Sequence, residues 1–370
     1  MPVVLPAHGP RGHRPRRSAV RAVASTLTVA LVAALPVTAA GAARPPASVA
    51  DEPSSLSVRT AGDLRVSGKV RPATARPVRV ERRVGDSWVT VATTRSNADG
   101  RFSAEVPTTL FVGRSRLRTL LPAAGGASET VGDATTVTIR AKGKASSRSL
   151  LIPGKEAHRW DPCRTIDYRV NLRQAPPGTL GEVRGALRRV TVQSGLQFRY
   201  AGATGVVPGT RKGKYPPGTD LVLAWVRPGQ SSHFPRGSGA AGFGGAYGSL
   251  TLDVNDRAVP TLSDGFVLLE SGVYEKLDPG FGAGKPYGYS GTRGQLLMHE
   301  IGHAVGMGHA DRDRGQVMYP VMQDAPAVWG RGDAANLERL GLSAGCIAGP
   351  ADARTTARRP GTPRVLAYLP

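Results

Sequence analysis

The stretch His299-Glu300-Ile301-Gly302-His303-Ala304-Val305-Gly306-Met307-Gly308-His309 carries more chemical information than any other part of this 370-residue chain. His299 and His303 are four residues apart, so on a helix they share one face, one turn above the other. Two imidazoles placed that way can grip one metal ion. Glu300 follows the first of them and is positioned to take a proton from a metal-bound water. A third ligand would leave one open position on a tetrahedral ion. His309 comes six residues after His303, so the helix has to turn to bring it back. Gly306 permits that turn, because glycine accepts positive φ at little cost. Three of the chain's seven histidines fall inside these eleven residues, which an ordinary helix with surface histidines explains poorly.

Three neutral nitrogen ligands and a water suit zinc, which is redox-silent. One catalytic zinc would acidify its water and polarise a carbonyl. Glu300 would act as general base for water attack, then carry the proton to the leaving amine, so that an amide bond is cleaved. Nine residues beyond His309 lies Met318, in Val317-Met318-Tyr319-Pro320. Pro320 suits a tight turn, and Met318 can form a soft, polarizable floor under the imidazoles. Of the other histidines, His158 and His233 stand alone and read as loop or surface residues.

An elongated histidine motif followed by a methionine turn resembles the metzincin metallopeptidases. Gly302-His303-Ala304, Gly306-Met307 and the Val-Met-Tyr-Pro turn resemble the matrixin group most closely, in particular the small matrixin-like peptidases of exported bacterial proteins. The motif-bearing match spans about residues 291–320. The resemblance implies an α+β catalytic domain, with a twisted, mostly parallel sheet and an active-site helix. It also implies an edge strand within residues 240–254, to which an extended peptide adds as a further strand, and a primed-side pocket wall around Pro320–Val328. Ala310 stands where many matrixins have serine. Tyr319 directly follows Met318 and so does not match the pattern that supplies a metal-bound tyrosine. A second, structural zinc would need a histidine cluster, for which only His233 is present. Calcium sites in the glycine-rich loops lack a dense acidic ligand run to support them.

Outward from the motif, residues 160–346 read as that α+β domain. Strand signals lie at Thr165–Leu172, Leu196–Tyr200, Asp220–Val226 and Gly265–Glu270. Leu180, Val183, Leu187 and Val190 give an amphipathic helix. Gln295–Val305 reads as the active-site helix, and a final helix starts near Asp333 as N-cap. Residues 228–248 and 279–294 read as glycine-rich loops. Residues 142–158 are polar and aperiodic, a flexible linker. Residues 55–141 alternate apolar and polar in short runs, such as Leu64–Val70, Val78–Arg82, Trp88–Val91, Phe102–Val106 and Thr136–Arg140, and predict a β-sandwich. This stretch resembles the immunoglobulin-like modules of bacterial exported proteins. Residues 350–370 read as a disordered tail.

The N-terminus carries five arginines within residues 11–21, then an uncharged stretch from Ala22 to Ala43 and the small residues Ala40-Gly41-Ala42. That is the layout of a cleaved export signal over residues 1–42. The two cysteines, Cys163 and Cys346, are too few for a disulfide-dense scaffold or a four-cysteine zinc module. In an exported chain, two cysteines flanking one domain are expected to pair.

Lys+Arg is 49 against Asp+Glu 27, a net +22. The arginines of the β-module fall mostly at alternate strand positions and lack interleaved stacking aromatics, so a solvated face is expected rather than nucleic-acid contact. The expected protein is a secreted, monomeric zinc endopeptidase with a protein or peptide substrate. The β-module is available for cell-wall or surface contact. The alternative is a cell-surface binding protein that uses the β-module and carries a vestigial peptidase domain. A basic protein bound to nucleic acid or an anionic wall polymer has the net charge alone in its favour.

Overall fold

The computed structural model describes residues 64–151, 156–253, 255–285 and 290–347 in full, and the backbone alone of Ser48–Val49, Ser55–Arg59, Asp63 and Arg364–Ala367. The expected export signal, residues 1–42, lies outside the described residues. The chain divides into two compact units at Arg140/Ala141.

The first unit is all β. Its strands are β1 (Ser48–Val49), β2 (Ser55–Arg59), β3 (Asp63–Arg71), β4 (Pro77–Val84), β5 (Ser87–Arg95), β6 (Arg101–Pro107), β7 (Gly113–Leu121), β8 (Thr130–Val131) and β9 (Thr135–Arg140). They form a three-stranded sheet, β1-β3-β6, and a second sheet ordered β2-β9-β7-β4-β5, with β8 on β7. Strand β6 shows why the pattern works: Phe102, Ala104 and Val106 are buried, while Arg101, Ser103 and Glu105 face out. Phe102 meets Val70, Val78 and Leu121 in a core built from both sheets. Strand β7 was not expected, because its inward positions include the polar Ser115 and Thr119, both buried. Nor are all the arginines solvated as the alternation implied. Arg82 is buried, donates from Nε to Ser115 Oγ at 2.7 Å and lies 5.0 Å over the Phe111 ring. Arg76 is buried too, donating to the carbonyls of Pro122 and Ser128 at 2.6 and 2.9 Å.

The second unit is mixed. It contains β10 (Thr165–Asn171), α1 (Thr179–Ser194), β11 (Gln197–Ala203), β12 (Leu221–Val226), β13 (Gly242–Leu252), β14 (Ala258–Glu270), α2 (Ser271–Lys276), α3 (Arg293–Ala304), α4 (Arg331–Leu340) and β15 (Arg364–Ala367). Its sheet runs β11-β10-β12-β14-β13-β15. Strand β10 is parallel to β11 and β12, and β12 is parallel to β14, whereas β13 is antiparallel to both its neighbours. The mostly parallel sheet of the expectation is therefore present. Strand β12, Leu-Val-Leu-Ala-Trp-Val, is buried along its whole length, as a central parallel strand between covered faces should be.

Several boundaries differ from the sequence reading, each for a local reason. Residues 242–248 are strand rather than loop, within the 240–254 span where the resemblance implies an edge strand, although β15 lies outside β13 in the sheet. Glycines there leave room for a helix to lie against the backbone, a role that composition alone reads as coil. Strand β14 begins seven residues earlier than expected, and the short helix α2 was not foreseen. Residue Asp333 is not the N-cap of α4. Gly330 holds that place, and Asp333 reaches back to the Gly330 N–H at 3.0 Å.

The segment 142–158 is not a flexible linker over its described residues. Ala145–Ser147 form a short 3-10 turn. Lys144 N–H donates to Asp313 Oδ2 at 2.6 Å, Arg331 N–H to Lys142 O at 3.1 Å, Gly308 N–H to Ser149 O at 3.1 Å and Leu151 N–H to Gly306 O at 2.9 Å. This strap lies along the loop that joins His303 to His309. Burial raises the Asp313 carboxyl, but the N–H of Lys144, the Gln316 side chain and the N–H of Gly315 outweigh it and bring the pKa down to about 2. The tail departs from expectation as well, since Arg364–Ala367 form a strand on β13. Other residues of 350–370 lie outside the described ones.

Cys163 and Cys346 form a disulfide across 183 residues of sequence, with Cα atoms 5.3 Å apart. Closing a loop of that length stabilises by about 5 kcal/mol in the chain-entropy account. Asp161 Oδ1 reinforces the junction by accepting from the N–H groups of Cys163 at 3.1 Å and Ile347 at 3.2 Å. Among the described residues, no helix is long and apolar enough to cross a membrane.

Candidate metal centre

Helix α3 starts at Thr292, whose hydroxyl oxygen accepts from the Gln295 N–H at 3.3 Å. From Gly294 to Ala304 every residue is buried, so the helix is surrounded on all sides. It ends as the sequence requires. Gly306 N–H bonds to His303 O at 3.0 Å and Met307 N–H to Gly302 O at 2.9 Å, with Gly306 at φ +105°. A Cβ there would also press on the His158 carbonyl at 2.9 Å. The turn returns His309 to the helix.

The three Nε2 atoms then form a nearly equilateral triangle. His299 and His303 are 3.1 Å apart, His303 and His309 3.1 Å, and His299 and His309 3.2 Å. All three side chains are buried. The tautomers of two are fixed by their other nitrogens. His299 Nδ1 lies 2.8 Å from Val317 O, and His303 Nδ1 lies 2.8 Å from Met307 O. A carbonyl oxygen only accepts, so both Nδ1 atoms carry the proton and both Nε2 atoms present bare lone pairs. Burial, before any other cause, holds the imidazoles neutral. It lowers His299 to about 4 and, with the neighbouring imidazoles adding to it, holds His303 and His309 well below the ordinary imidazole value. Lone pairs facing one another at such distances repel unless a cation lies among them. The donor set therefore fits a metal ion, and it is the group of metal-binding side chains found among the described residues.

Glu300 is buried beside this triangle. The Gly244 N–H donates to its carboxylate, but Oε1 has no hydrogen-bond partner. Burial pushes its pKa well up, and the Gly244 N–H opposes that. Strand β13 makes the close approach possible. A Cβ at Gly244 would collide with the Glu300 carbonyl oxygen, and one at Gly242 would come within 2.7 Å of Oε1. The functional part of β13 is thus its glycines: composition reads Gly242 and Gly244 as loop, whereas the resemblance places a strand within residues 240–254, where β13 lies.

Met318 is buried against the metal-ligand helix. Its sulfur would lie 2.5 Å from a Cβ on Gly302, so it packs against the helix between the first two ligands. Ala310 N–H bonds to Met318 O at 2.8 Å, joining the third-ligand loop to the methionine turn. Beneath that turn lies Asp333. It accepts from Val317 N–H at 2.6 Å, Met318 N–H at 3.3 Å and Gly330 N–H at 3.0 Å. Burial pushes its pKa up to about 7, the N–H donors pulling the other way. A chain of contacts follows: Asp333 holds the Val317 peptide, whose carbonyl orients His299. The sequence marks Asp333 as a helix start but carries no sign of this second task.

Asp333→Ala would leave buried N–H groups unpaired, at about 1–3 kcal/mol each. It is expected to lower the melting temperature and to weaken metal affinity by roughly 10–100-fold, the range for a lost ligand-orienting partner. Asp333→Asn, which keeps an acceptor oxygen, should recover much of both. Equal metal affinity in the alanine variant and the parent would disprove the positioning role.

Among the described residues, His233 belongs to no group of metal-ligating side chains. It stacks on Phe266 with ring centroids 4.4 Å apart and lies 3.4 Å, through Nε2, from the Tyr247 hydroxyl.

No family model matches the chain. The curated proteins give no match either. Among solved structures, the chain is similar to a component of one described as "Structural basis of T cell specificity and activation by the bacterial superantigen toxic shock syndrome toxin-1". The likeness covers 25% of this chain and 97% of that one, at 13% identity and a TM-score of 0.20, too slight to define fold or activity.

Proposed function

We propose that this protein is an exported zinc-dependent endopeptidase, matrixin-like in its catalytic apparatus. The observation that carries the reading is Glu300: a buried carboxylate with an unpartnered Oε1, set beside three converging imidazoles. An unpartnered carboxylate oxygen beside a metal-ligand triangle is placed to accept a proton from a reacting water. A metal held only for stability would normally be closed by a fourth protein ligand, and the described residues bring together three.

His299, His303 and His309 would hold the ion, with Met318 packed behind the helix. Zinc, when bound, would supply Lewis acidity, polarising a substrate carbonyl and making a water easier to deprotonate. Glu300 receives the water's proton at Oε1 and passes it to the departing amine nitrogen. Gly244 fixes the carboxylate while that happens. Strand β13 lies alongside, and an extended peptide would pair with its backbone in the place β15 takes. The long disulfide supports an oxidising compartment, in line with the export signal read in residues 1–42. The complete ligand set and intact Glu300 weigh against a vestigial domain that serves only binding.

Purified protein incubated with a mixed peptide library is expected to create internal cleavages. A zinc chelator should abolish them, and one equivalent of zinc should restore them. Material with stoichiometric zinc that cleaves nothing across a broad library would reject the assignment.

A further inference from the structure

We propose that β15 is an internal occupant of the peptide-binding edge of β13, so that the chain's own C-terminal segment competes with substrate. The inference rests on the peptidase reading above, whose regulation it specifies.

One edge of β13 is taken by β14 throughout its length. Among the described residues the other pairs with β15 alone, antiparallel, with Arg364 opposite Gly248, Val365 opposite Tyr247, Leu366 opposite Ala246 and Ala367 opposite Gly245. Strand β15 therefore advances along β13 toward Gly244, whose N–H holds Glu300. A peptide that reaches Glu300 along this edge needs the same backbone groups, since a strand edge forms one ladder at a time. The root of the segment is fixed. Cys346 is bonded to Cys163, which leaves residues 348–363 as the tether between Ile347 and β15.

Tethering decides the magnitude. A short tether gives an effective concentration of about 1 mM. A strand pairing with an intrinsic dissociation constant of about 0.1 mM would then occupy the edge roughly ten times more often than not. An external peptide would see its apparent affinity reduced by that factor.

The test uses the Glu300→Ala background, so that binding is read without turnover. The probe is a fluorescent peptide copying residues 361–370. Two variants free the edge: truncation after Gly349, and the full-length double substitution Val365→Pro with Leu366→Pro, whose prolines lack the ladder N–H. Both are expected to bind the probe at least tenfold more tightly than the full chain. Hydrogen exchange at Gly245–Gly248 should quicken in both and slow again when the probe is added. Equal probe affinity in all three proteins overturns the proposal, whatever the hydrolysis assay shows. A tenfold difference in a protein that hydrolyses nothing upholds the occupied edge and defeats only the peptidase reading.

Discussion

Glu300→Ala is expected to retain a full equivalent of metal and to lose peptide hydrolysis by up to about 10⁴-fold, the upper range for a general base. The two halves of that expectation have separate physical origins. Metal retention follows because the ligand nitrogens are oriented by other groups. Val317 O holds His299 and Met307 O holds His303, and neither contact passes through the Glu300 side chain. The rate loss follows because Oε1 is the unpartnered buried acceptor at the centre. Stability should not fall in step with activity. A buried carboxylate with only the Gly244 N–H to support it costs free energy in the folded state, and removing it offsets the small cavity left behind. The informative result is therefore a variant that is as stable and as metal-loaded as its parent yet inactive. Glu300→Gln, which preserves the volume wedged against Gly242, should behave alike. Turnover within a few-fold of the parent in either variant would show that some other group accepts the proton.

How much of this centre the sequence disclosed depended on whether the signal was local. His299, Glu300 and His303 are related by helical spacing, and Gly306 by backbone freedom, so their relation could be read directly. His309 required only one further turn. The cysteine pair followed from compartment and is bonded as expected, and Met318, singled out by its turn, packs against Gly302 of the helix. Contacts between distant segments left no such trace. Asp333 under the Val317 peptide depends on the fold bringing α4 beneath the methionine turn. Likewise, Gly242 and Gly244 look like loop residues until α3 is seen against them. The strap at 142–151 is polar and aperiodic because its hydrogen bonds run to Gly306, Gly308, Asp313 and Arg331 rather than to itself. In the β-module, β7 escaped notice because Ser115 and Thr119 face inward, where a period-two reading looks for apolar side chains. The fold was legible where pattern and burial agree. It was obscure where a polar or glycine residue is buried for the sake of a neighbour.

His303→Ala should have the largest effect on metal content. Structural zinc sites of four ligands bind with about 10–16 kcal/mol, so one nitrogen carries on the order of 3–4 kcal/mol, a loss of roughly 10²–10³-fold in affinity. His303 Nε2 lies 3.1 Å from both other Nε2 atoms, so its removal takes away one corner of the triangle. The loss should also be visible without any substrate. Metal that binds only the folded chain stabilises it by about 4 kcal/mol at a thousand times its dissociation constant. Adding zinc should therefore raise the melting temperature of the parent by several degrees and that of His303→Ala by about a third as much or less at the same concentration. In chelator the order is expected to reverse. The parent then keeps lone pairs pressed together in a buried site, two of them fixed by their Nδ1–H bonds, whereas the variant is relieved of one. A variant less stable than its parent even in chelator would mean that His303 is held by packing rather than for a cation. A variant that still takes up a tight equivalent of zinc would mean that the triangle is not the binding site.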